Sequence, residues 1–515
     1  MKYSYNLIVA LDNKNGISKN NKIPWHIKED LKFFKQKTLN NIVLMGRETY
    51  DSLPDNSKPL KNRFNIVLTR NEELLKNNHN INNLHYFNFE KELNNTLAIK
   101  NIDIDNKYKY LHYFNEIKNL LINKKELLNE LNILENIYII GGENIYNLFL
   151  EMFKKTEEDN KIDNIFITQI KKNYNCDKFF PFLTNDYYLL NYSDNNYSDN
   201  ENCNYRFLQY IKKNNNNVLK DSEEDYLSIA KNIINRNKNN LTRNDRTGVG
   251  ITSIFGTQIR YNISEFIPML TTKKVAFKAC IEELLWFLRG NTDNSILQNK
   301  KIRIWDGNSS KDYLNKIGLS HLEENDCGAC YGFQWRHFGA EYKDCKTDYE
   351  NKGIDQVKYV LNLLKNEPYS RRIFLSAWNP SDLNKTCLPP CHVSIQFFVE
   401  EINGIKHLSG HMYQRSADWF LGEPFNILSY TALIYLFAEI CDMIPYELII
   451  STGDTHIYLN HIKQMEEQIN RTVLVKPILK INPDVKNKNI EEIQFEDFEL
   501  IGYQSHPTIK GTMAV

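Results

Sequence analysis

The chain has no excess charge of either sign: 64 Lys and Arg balance 64 Asp and Glu over 515 residues. No overall field draws it to nucleic acid or to an anionic membrane surface, so neither a stable nucleic-acid partner nor a membrane association is expected. Its nine cysteines are scattered and odd in number, which argues against the disulfide framework of a small secreted domain. One CxxC occurs, Cys327-Gly328-Ala329-Cys330, and no second pair completes a zinc site; it reads as structural, and no metal is expected. No apolar run is long enough to span a bilayer. The longest uncharged one, residues 427–438, stops at Glu439 and reads as a core helix. The opening MKYSYNLIVALDNKN makes a short apolar strand without a cleavage site, so it is not a signal peptide and a cytoplasmic protein is expected. Neither GxGxxG nor GxxxxGKS/T occurs, and neither a Rossmann fingerprint nor a P-loop is claimed.

What is present supports sizeable cores. Hydrophobic residues make up 42% and aromatics 12% of a chain too long for one ordinary domain, so two or three domains are expected. The polar stretch KKNNNNVLKD at 212–221 lacks periodicity and reads as a linker. It sets the boundaries: a domain at 1–212, a short linker at 213–221 and a second domain at 222–515. In the first, strands are expected at 4–11, 42–45, 64–69, 137–140 and 205–211, with helices at 27–36 and 144–153. An oversized Asn-rich insertion, about 71–135, carries an amphipathic helical piece near 119–134 and is expected at the surface, away from any site. The tandem NYSDN-NYSDN at 191–200 reads as a loop.

Two carboxylates stand out by position. Asp30 has Ile27, Phe33 and Phe34 three or four places away on its helix, an apolar face on which an unpaired carboxylate is costly and its pKa should rise. Glu283 has Ala279, Cys280, Trp286 and Phe287 at the same spacings within the helix 276–289, and an elevated pKa there suits proton shuttling near neutral pH. Its neighbour Glu282 reads as an ordinary solvated or paired acid. Cys391 is the third feature. Pro389 and Pro390 fix a rigid approach to it, and Val393, Ile395 and Phe397 alternate with polar residues beyond it as a half-buried strand. A lone cysteine is usually a small core residue. Nucleophilic work requires the thiolate and hence positive charge, which the arginines of DRTG (Arg246), SRR (Arg371, Arg372) and YQRSAD (Arg415) can supply. His392 cannot act as base for Cys391, because adjacent strand residues point to opposite faces, so a cysteine hydrolase is rejected. Finally, Gly46-Arg47 and Gly141-Gly142 each join a strand to a helix and present backbone N–H groups suited to an anion.

The motifs IPW-x4-DL-x2-F, MGRETYDSLP, PLKNRFNIVLTR, IYIIGGENIY and IFITQI stand in the order and approximate spacing of dihydrofolate reductase, which residues 1–212 resemble. EELLWFLRG, RIWDGN, YGFQWRHFGAEY, SRRIFLSAWNP, LPPCH, YQRSADWFLGEPFN, GDTHIYLNH and HPTIKGTMAV resemble thymidylate synthase over 222–515. The chain looks like a fused reductase–synthase of folate metabolism. The resemblance implies an α/β N-terminal domain with a central, mostly parallel sheet flanked by helices, and an α+β C-terminal domain with a large mixed sheet and helices. It implies that Asp30 holds the pteridine ring and assists protonation, with Thr168 supporting it through a water. Arg63 then grips the folate α-carboxylate, Phe34 and Leu53 line the pocket, and Arg47, Thr49, Gly141, Gly142 and Tyr146 face NADPH.

For the second half the resemblance implies that Cys391 attacks C6 of dUMP and that Arg415 lowers its pKa. Arg415, Arg246 and Ser416 bind the phosphate, with Arg371 and Arg372 reaching across from a second chain, hence a homodimer. Asn426 reads the pyrimidine edge, His456 and Tyr458 hold the ribose hydroxyl, Glu283 orders water for proton transfers and Tyr331 assists removal of the C5 proton. Trp305, Asn308 and Asp418 contact 5,10-methylenetetrahydrofolate, over which the tail ending in Val515 closes. The expected activities are methylation of dUMP to dTMP and reduction of the resulting dihydrofolate with NADPH. The sequence departs from the family pattern at Ser18, at the CGAC before Tyr331, at Glu423 where Val is common, and at Gly511-Thr512. The alternative is an active synthase carrying a degenerate, non-catalytic reductase-like scaffold, against which intact Asp30, Arg63 and Gly141-Gly142 count.

Overall fold

The structure, a computed structural model, describes residues 3–76, 81–88, 106–156, 162–213 and 222–514. Most of the expected linker, parts of the insertion and Val515 lie outside the described residues. The chain divides into two compact units, Met1–Asn217 and Val218–Val515.

In the first unit, runs of Val, Ile, Leu and Phe without polar alternation form strands covered on both faces. These are β1 (Ser4–Leu11), β3 (Ile42–Gly46), β4 (Phe64–Leu68), β5 (Leu84–Phe87), β6 (Asn136–Ile139) and β7 (Ile162–Ile170), while β2 (Gly16–Ser18) pairs apart with β8 (Lys178–Phe179). With β9 (Tyr187–Tyr192), β10 (Asn196–Ser198) and β11 (Cys203–Lys212), the sheet has the order β10-β11-β7-β1-β6-β3-β4-β5, β9 pairing with β11. The pairs from β7 across to β5 are parallel and β11 is antiparallel to β7. In sheets of this kind ligands gather beyond the carboxyl ends of the strands. Both strand–Gly–helix turns open there: β3 feeds the helix Arg47–Ser52 and β6 feeds Glu143–Lys155.

Two local expectations are corrected. The second copy of NYSDN is not all loop, since Asn196–Ser198 pairs antiparallel with Cys203–Tyr205 across a turn that Asn202 completes at φ 48°. The insertion is not a surface appendage. Its helix begins at Asn106 and runs to Asn123, burying Tyr113, Phe114, Ile117 and Leu121, which recur at helical spacing as one apolar stripe. Phe114 meets Tyr5 and Phe153 at ring separations of 5.4 and 5.0 Å.

The second unit is built on a six-stranded mixed sheet of β12 (Thr242–Arg243), β13 (Ile251–Asn262), β14 (Phe374–Ser376), β15 (His392–Ile402), β16 (Ile405–Asp418) and β17 (Ile444–Tyr458). Its order is β12-β13-β17-β16-β15-β14, with β16 and β17 parallel and the other neighbours antiparallel. Alternation sets the two faces. Ile395, Phe397, Val399, Leu408 and Met412 face the core with the helices Ser222–Lys238, Phe277–Leu288 and Glu423–Ile440. Gln396, Phe398, His411 and Tyr413 point the other way and are exposed. The helix Glu423–Ile440 is apolar on nearly every side and is accordingly buried along its length.

Candidate active sites

In the first unit the two glycine turns are joined, the Gly46 N–H donating to Gly141 O at 2.8 Å. Beside them lies a cavity of about 930 Å³ lined by Asp30, Phe34, Thr49, Leu53, Gly141 and Tyr146 among others, with Arg47 and Gly142 also on its wall. Gly141 has φ 121°, a conformation that favours glycine, and a Cβ there would stand 3.3 Å from the Tyr146 ring. A Cβ on Gly142 would stand 3.2 Å from Thr49 Oγ1. The turn thus leaves its N–H groups approachable from the cavity, at the positive end of the helix Glu143–Lys155.

Burial pushes the Asp30 carboxyl up to about 6, and a hydrogen bond from the Thr168 side chain pulls the other way. Tyr146 is buried and donates its hydroxyl to Ile8 O at 2.8 Å. Arg63 and Thr168 stand behind the cavity lining rather than in it. The Arg63 guanidinium lies 5.9 Å from the Phe34 ring and bonds Thr38 Oγ1 at 2.9 Å and Lys61 O at 2.8 Å. No carboxylate among the described residues pairs with it, and burial lowers its pKa. Lys109, Tyr110 and Tyr113 of the insertion helix also line the cavity, so the expectation that the insertion keeps clear of the site is overturned. Only a helical stripe extended back to Tyr110 could have signalled this.

In the second unit Cys391 stands at the start of β15, next to the bend fixed by two prolines. Its backbone N–H donates to the Tyr331 hydroxyl at 2.7 Å, and its carbonyl accepts from the Arg415 N–H at 2.9 Å. The Arg415 side chain is locked onto the same bend, Nε donating to Pro390 O at 2.8 Å and Nη2 to Pro389 O at 2.7 Å. Burial pushes the Cys391 thiol up, against the downward pull of Arg415, Tyr331 and Arg246. Two guanidiniums of one chain thus act on the sulfur but do not by themselves offset its desolvation. Arg371 and Arg372 are exposed at the turn before β14 and do not join this cluster within one chain.

Glu283 matches its expected environment. Burial pushes it up to about 7, tempered by the Trp305 Nε1–H, which donates to it at 2.7 Å. That partner lies 22 residues on and was missed by local reasoning. Glu282 is buried rather than solvated and pairs with Lys300. His392 stacks on Tyr331 at 4.0 Å, bonds the Tyr430 hydroxyl at 2.8 Å and is pushed down to about 3 by burial, an inner-face neutral histidine. Tyr458 is pushed up to about 12 by burial and then by Asp418 and Asp245, with smaller effects from Cys391 and Arg246. His456 lies 5.2 Å from it, ring to ring, and is buried, as are Trp305 and Asn308. Asp418 closes β16 and accepts from the N–H groups of Phe420 and Leu421. Asn426 donates to Gln414 Oε1 at 3.1 Å and Gln414 to Ser416 O at 3.1 Å, a half-buried link that the sequence did not reveal. The CGAC cysteines Cys327 and Cys330 are buried with Cys387, and hydrogen bonding that engages the Cys327 S–H with these two sulfurs, together with burial, raises Cys327.

Two catalytic architectures, a reductase and a synthase, define the class of this chain. A model of the thymidylate synthase family matches residues 224–515, and one of the dihydrofolate reductase family matches 4–99 and 100–212. The chain is 40% identical over 516 residues to the bifunctional dihydrofolate reductase-thymidylate synthase of Paramecium tetraurelia, covering 99% of each, and 38% identical to that of Zea mays, covering 99% of this chain and 97% of the other. The enzyme of the same description from Plasmodium chabaudi is 36% identical, over 92% of this chain and 84% of its own length. The chain belongs to the bifunctional dihydrofolate reductase–thymidylate synthases. It is an enzyme of dTMP synthesis with both activities.

Proposed function

We propose that the two sites act in turn on one folate, within domains at 1–212 and 222–515 joined by a linker at 213–221. In the second, the phosphate dianion of dUMP is met by Arg246, Arg415 and Ser416 of one chain and by Arg371 and Arg372 of a second copy. None of these guanidiniums has a carboxylate partner among the described residues, a liability unless an anion arrives. Cys391 Sγ gives up its proton and adds to C6 of the uracil ring, which makes C5 the nucleophile toward the one-carbon unit of 5,10-methylenetetrahydrofolate. The Tyr331 hydroxyl accepts the Cys391 N–H, so its own proton is free to face the cleft and assist removal of the C5 proton. Glu283, poised near neutrality, moves protons through ordered water. Asn426 pairs with the O4 and N3 edge, which selects uracil over cytosine. His456 and Tyr458 hold the ribose hydroxyl, and Trp305, Asn308 and Asp418 seat the folate beneath the closing Val515 tail. The hydride that completes the methyl group comes from the folate, Cys391 leaves, and the products are dTMP and dihydrofolate.

In the first domain the cofactor is NADPH, which when bound supplies the hydride that turns dihydrofolate into tetrahydrofolate. Gly141, Gly142, Arg47, Thr49 and Tyr146 form its cradle; a Cβ on either glycine would crowd that space. Asp30 holds the pteridine and assists its protonation, Phe34 and Leu53 flank it, and Arg63 takes the α-carboxylate from behind Phe34. The uncovered face of the second sheet exposes Phe255, Phe374, Phe398 and Tyr413, apolar surface that a second copy would bury in a homodimer. No helix among the described residues is long and apolar enough to cross a membrane, and we place the enzyme in the cytoplasm. Neither reaction as written calls on a metal ion.

The observation that carries this reading is that Tyr331 and Arg415 both bond the Cys391 backbone while Arg415 and Arg246 act on its thiol. Cys391→Ser is expected to lose dUMP methylation and keep dihydrofolate-dependent NADPH oxidation, and Asp30→Ala the reverse. Variants that lose both activities together while folded, or neither, contradict it.

A further inference from the structure

Glu423 opens the helix Glu423–Ile440, three residues before Asn426. A carboxylate at a helix start ordinarily sits in water and accepts from free N–H groups. Glu423 does neither. It is completely buried, and neither of its oxygens has a hydrogen bond of good geometry among the described residues, the Gln414 amide alone acting on it as a donor. No cation acts on it. Around it stand Asp418 and Gln414 from β16, Tyr226 from the helix Ser222–Lys238 and Tyr261 from β13; Lys273 and His461 act on Asp418 instead. A buried, unpaired carboxylate is a cost that a residue such as Val would not carry.

Gln414 connects this group to the nucleotide cleft. It is itself buried, its Oε1 takes the Asn426 amide and its Nε2 spends one hydrogen on Ser416 O, which leaves the second for Glu423. We propose that Glu423 is a positioning residue for pyrimidine recognition: as the neutral acid it lets Gln414 hold the Asn426 amide at the base edge, and on ionising it draws Gln414 away and weakens the nucleotide site. The inference rests on reading the second unit's cleft as the dUMP site. Burial and the nearby Asp418 carboxylate push Glu423 up to about 8, so the change falls in an accessible range.

The test compares KM for dUMP and kcat of the full-length enzyme from pH 6.5 to 9.5 with those of Glu423→Gln and Glu423→Val. An acid titrating near 8 becomes about tenfold less protonated between pH 7 and 9, so the wild-type KM should rise up to about tenfold more than that of either variant over this interval, with kcat following one shared profile. If both folded variants show the same rise as the wild type, the inference is overturned while dUMP methylation stands. Absence of dUMP-dependent turnover by the wild type would instead overturn the reading beneath it. Glu423→Val, which removes the charge and the buried polar group together, covers the case in which Glu423→Gln does not fold.

Discussion

Asp30→Asn should leave the first unit inactive as a reductase and more stable than the wild type. Burial moves this carboxyl from its ordinary 3.8 to about 6, against the pull of Thr168. At 1.36 kcal/mol per pH unit the ionised form is disfavoured in the fold by about 3 kcal/mol, and by about 1–3 kcal/mol once water entering the open cavity is allowed for. The sign follows from the direction of the change. A folded value above the unfolded one penalises the native state wherever the group is ionised, fully above about pH 6, and the penalty fades as pH falls toward 3.8, where both states are protonated. An amide keeps the shape and a partner for Thr168 but carries no charge. Hydrogen exchange followed by mass spectrometry on peptides from Ser4–Leu11 and Ile42–Gly46 reads the stability of this unit inside the intact chain. The expected result is about 1–3 kcal/mol of added protection in Asp30→Asn at pH 7.5, shrinking toward zero at pH 4. No gain at pH 7.5, or an equal gain at both, would refute the argument that desolvation sets this group.

Trp305→Phe removes the one donor to Glu283 among the described residues, so the apparent pKa assigned to Glu283 in the pH profile of tritium release from 5-tritiated dUMP should move up from about 7. Arg415→Lys gives up the paired bonds to Pro389 and Pro390 and withdraws charge from the sulfur; Cys391 should be alkylated by iodoacetamide more slowly at pH 7.5, read by peptide mass spectrometry. Glu223 is buried, accepts from the backbone and hydroxyls of Thr271 and Thr272, and pairs with buried Lys476. Glu223→Ala removes this buried acceptor from two backbone N–H groups, two hydroxyls and the Lys476 ammonium, and should cost the second unit about 3–5 kcal/mol in urea unfolding.

Much of the site could be read from local spacing. Asp30 and Glu283 were visible because a helix shows which neighbours share a face, and in both cases those neighbours are apolar. Cys391 was visible because prolines and strand alternation fix how it is presented. What escaped depends on contacts far along the chain. Trp305 reaches Glu283 and Lys300 buries Glu282 from positions no periodicity relates to them. The insertion helix enters the cavity wall because its stripe starts before Asn119, inside a stretch whose Asn and Lys content reads as loop. The balance at the thiol was not legible either: arginines named by motif pull its pKa down, and in the folded chain Arg415 and Arg246 do so against a larger upward push from burial. A positive neighbourhood is a matter of composition, but its balance against desolvation is decided by packing.

The central claim is that this sulfur becomes nucleophilic once dUMP fills the cleft. Incubation with 5-fluoro-dUMP and 5,10-methylenetetrahydrofolate, then digestion and mass spectrometry, tests it most directly. A covalent ternary adduct on the peptide containing Cys391, absent in Cys391→Ser, is the predicted result. Folded enzyme that forms no adduct, or forms it on another cysteine, would contradict the account.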